Sequence, residues 1–156
     1  MKKHLITGAS GFLGSAIVKK LVKQGEQVVS LDIIEDKEIS KISEFYKIDV
    51  SNISQDYKKI FKDVDFVHHN AALVPLTKAG IDFFKANVNG TKNILEQSIK
   101  YNVGHFSHMS SSAIFGKPKK NENVDYSKYN PTGIYGKSKY LAFPIFSTKA
   151  EKLNFV

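Results

Sequence analysis

The chain of 156 residues contains no cysteine. It can build neither a disulfide framework nor a thiolate metal site. Arginine is missing too: all 23 basic residues are lysines. Nucleic-acid sites lean on arginine for bidentate and stacked contacts. The lysines are scattered over presumptive helix faces (Lys19, Lys20, Lys23, Lys58, Lys59, Lys62), and the densest cluster, Lys117–Asn123, reads as an exposed loop. The net charge of +8 is therefore read as a solvated surface, with no nucleic-acid partner. No apolar run approaches the roughly 20 residues of a membrane span. The short apolar run after Lys2 and Lys3 meets glycine too soon for a signal peptide. Internal repeats and low-complexity segments are also lacking, and the length suits one domain. A soluble, cytoplasmic protein is expected.

What is present alternates between two periods. His4–Thr7 is a short apolar run ending at glycine, as a buried parallel strand would be. Leu13, Ile17 and Leu21 follow at helical spacing, and Gly25 ends that helix. Further strands are expected over Gln27–Ile33, Phe45–Val50, Asp65–Ala72 and His105–Ser111. Phe84, Val88, Thr91, Leu95 and Ile99 mark one face of a long helix, and another helix should follow Pro131. Alternating strands and helices predict an α/β fold: a Rossmann-like, doubly wound parallel sheet with helices on both faces.

In that setting the segment "TGASGFLG" acquires a purpose. Gly8, Gly11 and Gly14 follow the first strand and open a helix, and Asp32 stands at the end of the second strand. This is the arrangement of a dinucleotide fingerprint, with pyrophosphate at the helix N-terminus and the carboxylate on the adenosine ribose hydroxyls. A 2′-phosphate beside Asp32 would be repelled and no arginine is there to receive it, so NAD is preferred over NADP. The "GKS" at Gly136–Ser138 is not a P-loop, because Pro131 occupies the position of the required upstream glycine.

Tyr135 and Lys139 are four apart and share a helical face. With seven tyrosines and 23 lysines, chance alone supplies such a spacing. Position gives it meaning. The pair opens the helix after the fifth strand, and that strand ends in the serines of "MSSSAIFG". Ligands of open α/β sheets bind at such strand ends. Hydroxyl, phenol and ammonium together would serve proton transfer coupled to hydride transfer.

The ordered set "TGASGFLG", Asp32, "HNAA", "NVNGT", "SSSAIFG" and "YGKSK" resembles the extended short-chain dehydrogenases/reductases of the NAD-dependent epimerase/dehydratase group. The resemblance covers residues 1 to about 142. It implies that Gly8, Gly11 and Gly14 shape the pyrophosphate loop, with backbone amides from Phe12 and Leu13. It implies that Asp32 holds the ribose, that Asp49 and Val50 flank adenine, and that Ala71 and Ala72 line the cofactor path. Asn87 would organise the active site, Tyr135 would be the acid/base, and Lys139 would assist the phenol and bind the nicotinamide ribose. Counting back from Gly116 makes Ser111 the catalytic hydroxyl, with Ser112 the alternative. Phe115 stands where the family usually has tyrosine. The implied substrates are nucleotide sugars or hydroxysteroid-like molecules.

His68 and His69 are adjacent and so point to opposite faces of a strand, and no metal is expected. After "YGKSKYLA" the family's glutamate is replaced by Phe143, and Pro144 follows inside the expected helix. An interior proline costs about 3 kcal/mol, so a break is expected there. Family members run much longer. The resemblance therefore implies an NAD-binding domain over 1–142, incomplete at the C-terminus, and an atypical tail over 143–156. The substrate lobe would be missing, through a truncated, frameshifted or prematurely stopped reading frame. The fifth strand would then be a sheet edge, and Leu141–Phe146 partly uncovered and prone to pair in a homodimer. The short chain would bind NAD without turnover.

Overall fold

The computed structural model describes residues 1–75, 80–117, 126–147 and 154–155, with only the backbone described from residue 143 onward. All of the loop expected over Lys117–Asn123 except Lys117 lies outside the described residues. Strands β1 (Lys3–Thr7), β2 (Gln27–Asp32), β3 (Glu44–Lys47), β4 (Phe66–His69), β5 (His105–His108) and β6 (Asn154–Phe155) form one sheet. Every pairing is parallel, and the order is β3-β2-β1-β4-β5-β6. The order reverses between β1 and β4. A crevice opens at such a switch point, outside the carboxyl ends of the strands.

Helix α1 (Phe12–Lys23) and the short α2 (Lys37–Ile42) cover one face of the sheet. There Ile6, Val28, Val18 and Ile39 pack together, flanked by Ile17 and Leu21. Leu5, Val29, Leu31, Val67 and Phe106 point to the other face, against Ile94 and Leu95 of α4 (Thr91–Lys100) and against Tyr57, Ile60 and Phe61. Neighbours such as Leu5 and Ile6 are both fully buried because a strand sends successive side chains to opposite faces. Covering on both faces is what makes these strands apolar throughout.

Several expectations are corrected. Leu13 is 39% exposed, and the inward face of α1 is carried by Gly14 and Val18. The long helix is three segments: α3 (Asp82–Phe84), a π-helical stretch over Lys85–Gly90, and α4. Its buried face runs through Phe83, Asn87, Thr91, Ile94 and Ser98, so it begins on Phe83 where Phe84 was expected. Polar residues on that face hid it from a hydrophobic count. Helix α5 (Gly133–Ser147) continues through Pro144 and does not break there. The fifth strand is not an edge: β6 pairs with it, His105 opposite Asn154 and Phe106 opposite Phe155. Of the apolar run Leu141–Phe146, Leu141 is exposed and Ala142 buried, and the other side chains fall outside the described residues.

His4, His68, His69 and His108 are all held below the usual imidazole range, chiefly by burial, His108 at about 3. The unfolded chain takes up protons as pH falls through 6.5, whereas in the fold His4 and His68 take them up at lower pH and His69 and His108 stay neutral. Stability is thus full above that pH and declines below it, by about 1.4 kcal/mol per pH unit for each ring kept neutral. Urea melts from about pH 7.5 to about pH 5 should show falling midpoints, and His108→Asn should flatten the trend. A midpoint independent of pH would contradict this.

Candidate active site

The turn from β1 into α1 depends on close backbone approach. Gly8 has a φ of +68°, and a Cβ on Gly14 would lie 2.0 Å from the Gly8 carbonyl oxygen. The Gly11 N–H donates to that same oxygen at 3.1 Å, and Gly11 enters α1 with no side-chain cap. The first amides of an α-helix have no carbonyl four residues behind them. Those of Phe12 and Leu13 therefore point out of a terminus with partial positive charge, and no acidic residue stands in this first turn. A pyrophosphate fits such a cradle.

At the end of β2, the Asp32 carboxylate accepts from the Ser10 amide at 3.0 Å and the Ile34 amide at 3.1 Å. Ser10 Oγ donates to the Ile34 carbonyl at 2.6 Å. Ser10 thus ties the glycine loop to the carboxylate's own turn, a role its place inside "GASG" could have signalled. Ala71 lies under Gly8, where an added Cβ would come within 2.8 Å of the Ala71 nitrogen. The Ala71 N–H donates to Thr7 Oγ1 at 3.1 Å, and the half-buried Ala72 follows. Asp49 is exposed and accepts from the Ser51 amide and hydroxyl. The Val50 side chain is buried in the core against Gly90.

The second group gathers at the carboxyl end of β5. The Lys139 side chain, 3% exposed, donates from Nζ to the Met109 carbonyl at 2.8 Å. Burial pushes its ammonium down to about 8. Its charge in turn helps to hold His69 and His108 neutral. Two residues beyond Met109, Ser111 caps a 3-10 turn over Ser112–Phe115, its Oγ accepting from the Ala113 amide at 3.2 Å. Ser111 is half-buried and Ser112 exposed. Helix α5 lies close against this turn: a Cβ on Gly136 would come within 2.8 Å of the Ala113 carbonyl. That approach carries Tyr135 and Lys139 to the serine turn. The half-buried Tyr135 ring meets the edge of Phe83 at 6.2 Å between centroids.

His69, which sequence reasoning left without a role, and Asn87, expected to organise the site, join the two groups. His69 lies between Thr7 Oγ1, 2.7 Å from Nδ1, and Thr91 Oγ1, 2.9 Å from Nε2. Asn87 bonds to the backbone of Leu73 and to Ser138 Oγ. His68 instead faces the other side of the sheet, with Nε2 3.1 Å from His4 Nδ1. Among the described residues, no three His, Asp or Glu side chains gather as a metal would require. No helix among them is long and apolar enough to cross a membrane.

The model of the NAD dependent epimerase/dehydratase family matches residues 4–154. This chain belongs to that family. The family's cofactor, by its description, is NAD. UDP-glucose 4-epimerase of Lactobacillus helveticus is 31% identical over 163 residues, covering 98% of this chain and 49% of that one. The Thermotoga maritima UDP-glucose 4-epimerase, solved with UDP-glucose, superposes with a TM-score of 0.86 at 27% identity, covering 98% of this chain and 53% of that one. The Bacillus cereus UDP-glucuronic acid 4-epimerase, solved with UDP-glucuronic acid and NAD, shares the fold at a TM-score of 0.82 and 24% identity, with coverage of 98% and 55%. The chain spans about half the length of the curated relatives it matches.

The close approach at Gly14 has a measurable cost. Gly14→Ala forces α1 away from the Gly8 carbonyl and should destabilise the fold by about 1–3 kcal/mol, the usual penalty of overpacking. Chemical denaturation measures it. A variant as stable as the parent would mean that loop and helix separate freely.

Proposed function

We propose that this chain binds NAD and supplies the acid/base side of an epimerase or dehydratase acting on a nucleotide sugar. The observation that carries the reading is the buried Lys139, bonded at the end of β5 beside Tyr135 and Ser111 and across the sheet's switch point from an uncapped glycine turn. The amides of Phe12 and Leu13 would hold the pyrophosphate in the loop of Gly8, Gly11 and Gly14. Asp32 would accept the adenosine ribose hydroxyls, Asp49 and Val50 would flank adenine, and Ala71 and Ala72 would border the path. Lys139 would hold the nicotinamide ribose.

Bound NAD supplies the hydride acceptor and donor. Tyr135 takes the proton of a substrate hydroxyl as hydride leaves its carbon, and returns it to the carbonyl oxygen afterwards. Ser111 donates to that same oxygen, and its half-buried, turn-capping position favours it over the exposed Ser112. The nucleotide-sugar choice over a hydroxysteroid-like substrate rests on the similar epimerases, one of them solved with UDP-glucose. Ile134 and Leu141, each 46% exposed on α5, support pairing as a homodimer, which sizing chromatography would reveal.

Calorimetry should find NAD bound at least about tenfold more tightly than NADP, since Asp32 repels a 2′-phosphate. Asp32→Ala should narrow that gap, and equal affinities for the parent chain would sink the cofactor reading. Mixing the NAD-loaded protein with UDP-sugars and following epimer formation tests the chemistry. Conversion abolished in Tyr135→Phe, with NAD binding kept, supports the assignment. NAD binding without conversion favours a binding module that lacks turnover.

A further inference from the structure

We propose that Asn87 and Ser138 form a clamp joining the segment after β4 to the helix that carries Tyr135 and Lys139, which makes Ser138 a positioning residue of the site. Asn87 and Ser138 are both fully buried. The Asn87 Oδ1 accepts the Leu73 N–H at 2.7 Å, while Nδ2 donates to the Leu73 carbonyl at 3.1 Å and to Ser138 Oγ at 3.0 Å. Ser138 Oγ donates in turn to the Tyr135 carbonyl at 2.8 Å. A carboxamide has two N–H donors, and both are used here. An unbroken chain of hydrogen bonds thus runs from the Leu73 backbone to the Tyr135 backbone.

Both ends of this chain lie in the site. Leu73 is two residues past Ala71, which sits under Gly8 and bonds to Thr7. Tyr135 begins the face that Lys139 continues. The middle of the clamp sits in the π-helical stretch over Lys85–Gly90, a conformation that recurs at functional sites. On the same helix, Phe83 touches the Tyr135 ring and Thr91 holds His69. One helix face therefore supports the phenol ring, the backbone beneath it and the end of β4. A displacement of Leu73 by a ligand passing along residues 71–73 would be carried to α5 through two side chains. That consequence rests on the proposed function, whereas the clamp itself does not.

Amide hydrogen exchange on the intact chain tests the clamp. Without ligand, Ser138→Ala should speed exchange of the Leu73 amide about threefold or more, while the amides of β1 and β2 stay as protected as in the parent. Ser138→Thr, which keeps a hydroxyl, should restore the slow exchange. Unchanged exchange at Leu73 would overturn the clamp, and so would an equal acceleration in β1 and β2, which reports only lost stability. With ADP added, which lacks the nicotinamide ribose that Lys139 would hold, the parent should gain protection at Leu73 and over residues 136–140 together, and Ser138→Ala at Leu73 alone. Gain at both places in Ser138→Ala would overturn the coupling. If NAD protects neither the glycine loop nor Leu73 in the parent, the cofactor reading fails, and the ligand-free comparison still decides the clamp.

Discussion

The Gly8 backbone is the point on which the site is assembled. Its carbonyl oxygen receives the Gly11 amide and lies against the α-carbon of Gly14, and its own α-carbon lies against Ala71. Two elements from distant parts of the sequence, α1 and the exit from β4, are thereby fixed within van der Waals reach of one peptide unit. No side chain could mediate that approach, since any side chain would fill the space that the backbones occupy. The rest of the cofactor side follows from it. Ser10 leans from the same turn onto Asp32, and Thr7 ends β1 by receiving the Ala71 amide. A ligand approaching the switch point meets backbone whose position is already set.

From Thr7 the order spreads sideways through polar groups buried between sheet and helix. Thr7, His69 and Thr91 make a bonded row, and Asn87, Leu73 and Ser138 make a second one. Buried polar atoms are costly unless satisfied, and a satisfied network specifies one arrangement where apolar contacts would tolerate several. An apolar side chain in place of Asn87 could fill the same volume, yet it could not fix Leu73 and Ser138 at once. The π-helical stretch fits this requirement. It sets Asn87 and Thr91, on a single helix, against two different partners.

Fold class and the positions of the first five strands were legible because the strands are apolar runs ended by glycine or polar residues. The glycine loop and Asp32 were legible because the motif combines spacing with context. Ser111, Tyr135 and Lys139 could be read by position but not by spacing. What escaped has a common cause. Ser10 and Ser138 are polar, so a hydrophobic count assigns them to the surface, whereas the structure ties Ser10 to Asp32 and buries Ser138 completely. Pro144 misled for a different reason: its cost is local, and α5 runs on beside it to Ser147, after which β6 joins the sheet. A local penalty of about 3 kcal/mol does not decide an element that tertiary packing holds.

Lys139 shows what the fold does to a charge at this site. Burial lowers its pKa to about 8, which means that water has been withdrawn from a charge that is hydrogen-bonded to a neutral carbonyl. The neighbouring rings, His69 and His108, are kept neutral by their own burial and by this ammonium, so they return no negative charge. An ammonium in that position gains more from an arriving or forming anion than it would in water, because the effective dielectric is lower. The gain is reciprocal: whatever negative charge approaches is stabilised as much as the lysine is. In the proposed reaction, that charge is the phenolate of Tyr135, one helical turn away on the same face, used up as it takes the substrate proton and formed again as the proton is returned. The cost of burying Lys139 is carried by the resting fold, and the attraction it gains in exchange favours the base form of Tyr135 that the reaction starts from.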